Sequence, residues 1–486
     1  MTRETTDRSR VRRARSRPKR RAAAASADAE PSASPKASAR PRRALVREVA
    51  GATGAIDALS SRLGMVVLAL GCGFAVGVVV SLLLRATTAV TDLVWKGAAS
   101  LFPVPWFALL ACTVGGLVIG LWTWWSAERV HSLEEVMGEF RRTGSFRTRG
   151  LLRPTVSFLL PLAFGGSVGF EAGLTGIITS ACCWVRDRLK AAGLRVAVVA
   201  DVTIAACVSA IFGTPLAGIV CGVEGGHAAP DPDGALPAEA DSAVDDFELA
   251  RGAKVVLYAA AAVGALGGLV ATGAVLGPSG GLPRFEAIGA HGVELAWVVP
   301  CIALGWLLSI VHHASARLFS RAAKALAPSG ERSLASVVLP PVACGIVLGA
   351  VACALPYVLF PGEVQSEELM ASWAAMGAPV LIATGLAKAA ATPMCLSMGW
   401  MGGSFFPSIF SGVAAGFGLA ALTGCDPMLA VTVTTSAHLA GVTRKPVVTI
   451  AILALCFPVS GVLWSGLAAV VGSVLPVGAP RRGEGE

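Results

Sequence analysis

The sequence predicts an all-α, polytopic membrane protein, built from an inverted repeat of tilted and broken transmembrane helices. Three observations carry that expectation. The chain has 486 residues, 54% of them hydrophobic and only 15% charged, with a mean hydropathy of +0.68. A soluble domain rarely combines so much apolar surface with so few charges. Charge-free runs recur at Leu63–Leu84, 154–170, 202–223, 255–283, 333–362, 369–387 and 389–425. Each approaches or exceeds the roughly 20 helical residues that cover a bilayer core. Glycine and proline interrupt several of them, and broken helices survive in a membrane only where protein or a cavity surrounds the freed backbone.

The net charge of +9 is concentrated in the first fifty residues, in runs such as Arg12-Arg13 and Lys19-Arg20-Arg21. That segment is rich in Ala, Ser, Pro and Arg and reads as a disordered basic tail over residues 1–55. Next to a membrane span it is expected on the cytoplasmic side, against anionic lipid rather than nucleic acid. It is not a signal peptide, because the first apolar run starts too late and is too long. A transmembrane domain over residues 56–478 follows, in halves of about 56–228 and 249–478, and then a short polar tail, 479–486, also expected in the cytoplasm. The twelve cysteines show no CxxC spacing, so buried free thiols are expected, with no metal and no cofactor.

The first span is Leu63–Leu84. A second runs through Leu101–Trp125, with tryptophans near its ends as interfacial anchors. A polar break carries His131, Ser132, Glu134 and Glu135, and a basic loop, 141–153, follows. The next apolar run ends in Gly165-Gly166-Ser167-Val168-Gly169-Phe170-Glu171-Ala172-Gly173. Then come Phe212-Gly213-Thr214-Pro215 and Glu224, and an acidic loop at 227–248 divides the chain. The second half repeats the plan. Gly169 precedes Pro215 by 46 positions, and Gly403 precedes Pro446 by 43. Interrupted helices at matching positions of two halves mark a transport site near the bilayer midplane. Lys388, a lone cation between apolar runs, is expected to snorkel or to pair structurally.

Two stretches carry the candidate chemistry. In Gly399–Gly416, the pair Gly402-Gly403 permits a bend, and Pro407 suits the first turn of a helix. Ser404, Phe405 and Phe406 then expose backbone N–H groups at the positive end of a helix dipole, an anion site without a cationic side chain. The competing reading is a glycine-rich kink in a packed helix. Glu171 lies in charge-free sequence, where a carboxylate costs roughly 2.5–3.5 kcal/mol to insert. At a glycine break it can occupy an anion site and leave when protonated, which makes it a gate. Its alternative is an acidic residue at a helix N-terminus, held by the dipole. Glu224 lies close to the polar loop, and an interfacial structural role competes with a functional one.

These residues resemble the CLC family of chloride channels and proton-coupled chloride antiporters. GFEAG at Gly169–Gly173 is similar to the family's GREGP segment, with Glu171 at the gating glutamate. FGTPLAGIVCGVE at Phe212–Glu224 resembles F-x-x-P-L-A-G followed by a glutamate, and GGSFFP at Gly402–Pro407 resembles GGxFxP. The resemblance runs from about residue 60 to about 470. It implies two inverted repeats and a homodimer with one pore per subunit. It places the anion, expected to be chloride, among Gly169, Phe170, Gly403, Ser404, Phe405 and Phe406. The family's GSGIP segment falls near Val130–Glu134, so His131 or Ser132 stands where a serine ligand belongs. The antiporters' proton-transfer glutamate falls on Gly225, leaving Glu224 or His131 as candidate relays. No tyrosine follows Tyr357, so the family's terminal tyrosine ligand is expected to be missing.

The function expected is passive anion transport by a multi-pass cell-membrane protein gated by Glu171, not an enzyme. Proton-coupled antiport is the alternative. An intramembrane hydrolase using Ser460 and His438 is the remote one.

Overall fold

The computed structural model describes residues 40–102, 104–127, 131–132, 135–139, 146, 148, 150–191, 198–224, 251–277, 284–289, 296–327, 333–454, 456–457 and 459–478. The expected basic tail up to residue 39, most of the 141–153 loop, the acidic loop at 227–248 and the tail from 479 lie outside these residues. By contacts the chain divides at Ser60/Ser61, and the following concerns the unit from Ser61 to Glu486.

The regular elements among the described residues are all helices, with no β-strand. The first half contains α1 (Arg40–Asp92), α2 (Phe107–Ser126), α3 (Leu152–Ala163), α4 (Glu171–Ala191), α5 (Val198–Phe212), α6 (Pro215–Glu224) and α7 (Arg251–Leu276). The second contains α8 (Val298–Leu326), α9 (Leu334–Ala354), α10 (Glu363–Ser372), α11 (Ala378–Ser397), α12 (Phe405–Thr423), α13 (Pro427–Thr443), α14 (Pro446–Leu453) and α15 (Val459–Val474). Among the described residues, seven helical stretches are long and apolar enough to cross a membrane. Among them Phe405–Thr423 is the most enclosed, with 83% of its apolar window buried against 33–56% for the others.

Local chemistry explains the boundaries. The first membrane helix does not stop at Leu84 but continues through a π-helical turn, Leu93–Ala98, to Leu101. Arg85 causes no break because its guanidinium donates to the carbonyls of Leu276 and Gly277, the exposed end of α7. Pro215 and Pro446 open α6 and α14, where a missing N–H removes no helix bond. Asp426 caps α13 by accepting from Leu429 N–H at 2.7 Å.

Packing recurs in the two halves. α4 packs on α5 and α5 on α7; correspondingly α12 packs on α13 and α13 on α15. Matching elements also meet across the halves: α2 against α9, and α6 against α14. Glycines set the close crossings, since association inside a membrane depends on backbone approach. A Cβ on Gly116 would fall 2.3 Å from the Pro341 carbonyl oxygen, and one on Gly345 2.2 Å from that of Cys112. The pair Gly412 and Gly416 serves α12 against α13, where added Cβ atoms would meet Thr435 and Val431 Cα at 2.5 and 2.7 Å. This close packing makes α12 the central pillar. Its N-terminus faces the start of α4.

Candidate functional site

Two glycine breaks from opposite halves build the site. Gly169 N–H donates to the Gly403 carbonyl and Gly403 N–H to that of Gly169, both at 2.7 Å, an isolated antiparallel bridge. The bridge fixes the start of α4 against the start of α12. It also corrects an expectation about these amides: each is spent on the other strand and is not free for an anion. The glycines are needed for space instead. A Cβ on Gly403 would lie 1.9 Å from Glu171 Oε1, and one on Gly169 2.0 Å from Oε2.

Into that space turns the side chain of Glu171, the first residue of α4, which is 1% exposed. Its Oε1 accepts from Phe405 N–H, the first amide of α12, at 2.7 Å. Its Oε2 is buried with no hydrogen-bond partner. The carboxylate therefore sits at the N-terminal ends of two helices, where both dipoles favour negative charge. Beyond Phe405, the amides of Ser404 and Phe406 have no acceptor among the described residues. Pro407 has no amide hydrogen, and Ser408 N–H has already entered the helix ladder to Ser404.

Aromatic rings pack together at the starts of α4 and α12. Phe170 lies on Phe406 with centroids 4.2 Å apart, and Phe212 stacks on Phe406 at 5.4 Å and meets Phe405 edge-on at 5.6 Å. Phe170, Phe212 and Phe406 are all at most 2% exposed. Glu171 itself is buried, so the bond from Phe405 N–H acts at low effective dielectric, where charge-assisted bonds are strong.

A cavity of about 170 Å³ adjoins the carboxylate, lined by Glu171, Gly402, Ser404, Ser132, Leu396 and Thr443 among others. Ser132 therefore reaches the site and His131 does not. The His131 ring sits edge-on to Phe146 at 5.3 Å in a neighbouring niche, with Nδ1 3.7 Å from Glu135 Oε2. Ser132 and Glu135 form a reciprocal cap: Ser132 N–H donates to Glu135 Oε2 at 2.9 Å, and Glu135 N–H to Ser132 Oγ at 3.1 Å. The S-x-x-E spacing was a sequence signal for this turn. Thr443, which sequence reasoning did not single out, immediately precedes Arg444-Lys445-Pro446, the second-half counterpart of the residues before Pro215.

The remaining candidates fall elsewhere. Glu224 closes α6, and its side chain and Gly225 lie outside the described residues. Lys388 does not snorkel. It is fully buried in α11 and donates to the carbonyls of Tyr357, Leu359 and Phe360 at 3.3, 2.7 and 2.6 Å. His438 Nδ1 pairs with Ser309 Oγ at 3.2 Å rather than with Ser460, which leaves the hydrolase pairing without support.

The start of α12 thus holds a carboxylate beside a cavity, between paired glycine breaks, at a position where the helix dipole favours negative charge. The sequence profile of the voltage gated chloride channel family matches residues 114–476. The chain belongs to that family. It is accordingly an integral multi-pass membrane protein of a family of anion channels and transporters. Among curated proteins none matches it in sequence. Among solved structures it is similar to a CLC-type fluoride/proton antiporter, with a TM-score of 0.61 at 15% identity, covering 85% of this chain and 94% of that one. A slow cyanobacterial Cl⁻/H⁺ antiporter gives 0.59 at 16%, covering 83% and 94%. A eukaryotic CLC transporter gives 0.57 at 16%, covering 84% and 72%. At such identities the likeness establishes the fold, and the chemistry has to come from this chain's own residues.

Proposed function

We propose that the protein is a passive pathway for an inorganic anion, chloride being the expected one, and that Glu171 is its gate. The observation that carries this is the 2.7 Å bond from Phe405 N–H to Glu171 Oε1. The carboxylate stands in for the anion at the amide that opens α12, so seated carboxylate and bound anion exclude one another. Protonation removes the charge that the amide and the dipoles hold, and the side chain leaves. The anion then takes the place of Oε1, with Ser404 and Phe406 N–H as further donors and Ser132 Oγ at the cavity side. Gly169 and Gly403 clear the space, and Phe170, Phe212 and Phe406 keep water out.

Uncoupled movement is favoured by Gly225, which offers no proton-carrying side chain next to Glu224. Proton-coupled antiport is the second reading, motivated by two structural neighbours, a fluoride/proton antiporter and a Cl⁻/H⁺ antiporter. In it Glu224 would be the relay; His131, outside the cavity, is less well placed. In either reading the basic N-terminal segment lies on the cytoplasmic side, lipid surrounds the span, and two copies associate. Anion efflux from liposomes holding the purified protein, with pH recorded simultaneously, separates the two. A chloride gradient that moves no protons beyond leak supports passive transport. Uphill proton movement abolished by Glu171→Gln would establish antiport.

A further inference from the structure

The cavity beside Glu171 is lined by a segment that the gate does not use. Three hydroxyl side chains border this space of about 170 Å³, those of Ser132, Ser404 and Thr443. Ser132 and Ser404 belong to segments already placed at the site. Thr443 comes from another, the end of α13, with Val442 beside it. The helix stops there because Arg444 takes the left-handed conformation, with φ +57°. A residue with a side chain holds such a φ only where its surroundings impose it. Here the Arg444 guanidinium donates to the carbonyls of Ser473 and Leu475, at 2.6 and 2.8 Å, around the end of α15. Pro446 then opens α14. The turn is pinned on both sides, and Thr443 is held at the cavity.

The Thr443 hydroxyl sits in a short chain of donors. Its Oγ1 lies 3.3 Å from Thr449 Oγ1 and accepts weakly from Lys445 N–H at 3.4 Å. Its own proton goes to the Leu439 carbonyl at 2.9 Å. Thr449 is fully buried, and its hydroxyl has no partner but Thr443 among the described residues. With the Thr443 proton committed to Leu439, Thr449 is the donor in that contact. Thr443 thus receives two bonds and gives one, and received bonds strengthen the one a hydroxyl gives. The bond it gives is expendable. It is a threonine back-bond to the carbonyl four residues earlier, which the helix ladder of α13 also serves. Turning the O–H from Leu439 to an ion in the cavity leaves no carbonyl without a donor.

We propose that Thr443 is a ligand of the transported anion and sets its selectivity, donating its hydroxyl to the ion once Glu171 has left and favouring chloride over weakly hydrated anions such as thiocyanate. This inference rests on the gate reading above and adds a residue to the same site. The start of α12 supplies backbone amides. The other segments have only hydroxyls to offer, because no lysine, arginine or histidine lines the cavity. An anion that enters sheds water, and a donor on the protein has to replace each bond it loses. That loss is larger for compact chloride than for thiocyanate, whose charge is spread along the ion. A hydroxyl that donates to the ion therefore discriminates for chloride, and a site deprived of it penalises chloride more.

The test is efflux of chloride and of thiocyanate from liposomes holding the full chain, at pH 4.5 and 7.5. The proteins are wild type, Glu171→Gln, and Glu171→Gln combined with Thr443→Val, Thr443→Ala or Thr443→Ser. The Glu171→Gln background keeps the site open, so the rates report the ligands and not the gate. Thr443→Val keeps the shape and removes the donor. It should slow chloride about tenfold or more, as expected for one hydrogen bond to a charge, and thiocyanate much less. Thr443→Ala, which asks less of the packing against Thr449, should shift the ratio the same way. Thr443→Ser should hold the ratio near that of the background. A packing role alone would slow both anions alike. An unchanged chloride-to-thiocyanate ratio in Thr443→Val and Thr443→Ala would overturn the inference while the gate stands. So would a ratio lost equally in Thr443→Ser, since shape and not the hydroxyl would then decide it. If Glu171→Gln alone keeps the wild-type pH dependence, the gate reading itself fails, whatever the ratio does.

Discussion

Gly403→Ala offers an unusual way to open the gate without touching its charge. The new Cβ would fall 1.9 Å from Glu171 Oε1 and 2.0 Å from its Cδ, with Cγ at 2.6 Å. All three nearest atoms belong to the far end of one flexible side chain, so the protein can relieve the collision by expelling that side chain. Reaching an ordinary contact of 3.4 Å requires Oε1 to retreat by about 1.5 Å, which carries the 2.7 Å bond to Phe405 N–H beyond hydrogen-bonding reach. A hydrogen bond to a charged group contributes about 1.5–3 kcal/mol, so the seated fraction should fall by roughly ten- to 150-fold. The assay is anion efflux at pH 4.5 and 7.5. Wild type should be several times faster in acid; in Gly403→Ala the ratio should approach one. Gly402→Ala is the control, because its Cβ meets Val168 and the Gly169 backbone oxygen, at 2.6 and 2.9 Å. That variant should lose monodispersity in detergent rather than pH dependence. A Gly403→Ala protein that is well folded and keeps the full wild-type ratio would refute the steric reasoning.

Other expectations follow from the same contacts. Lys388→Met should strip the donor from buried carbonyls of Leu359 and Phe360, at about 1–3 kcal/mol for each group left unsatisfied, seen as a clearly lower Tm in detergent. Ser132→Ala removes the hydroxyl half of the cap with Glu135 and leaves the half donated by the Ser132 backbone N–H, at about 1 kcal/mol of local stability. It should reduce anion affinity modestly while leaving the acid limb of the pH profile in place, since Glu171 is untouched. Ser404→Ala should change affinity little, because Ser404 is expected to contribute its backbone N–H, and a large loss on that substitution would assign the ligand to its hydroxyl.

Much of this was legible in the sequence because membrane burial is strict. Charge-free runs, glycine breaks and helix-opening prolines reported the helices, and Glu171 stood out as a carboxylate among apolar residues. What the sequence could not report was pairing. Nothing local says that Gly169 and Gly403, 234 residues apart, spend their amides on each other, so both looked like free donors. Lys388 could be read as snorkelling or as pairing structurally, and its three acceptors could not be named because backbone carbonyls leave no mark on residue type. Leu84 looked like a helix end because the carbonyls that satisfy Arg85 come from a helix nearly two hundred residues later.

The central claim is that the Glu171 carboxylate and the transported anion compete for one helix N-terminus. The most direct measurement is anion efflux from proteoliposomes across external pH from 4.5 to 7.5, for wild type against Glu171→Gln. Competition predicts a wild-type rate that climbs as pH falls, and a mutant that is fast at every pH, because a neutral amide mimics the displaced, protonated side chain. A Glu171→Gln protein that conducts with the wild-type pH dependence would contradict it.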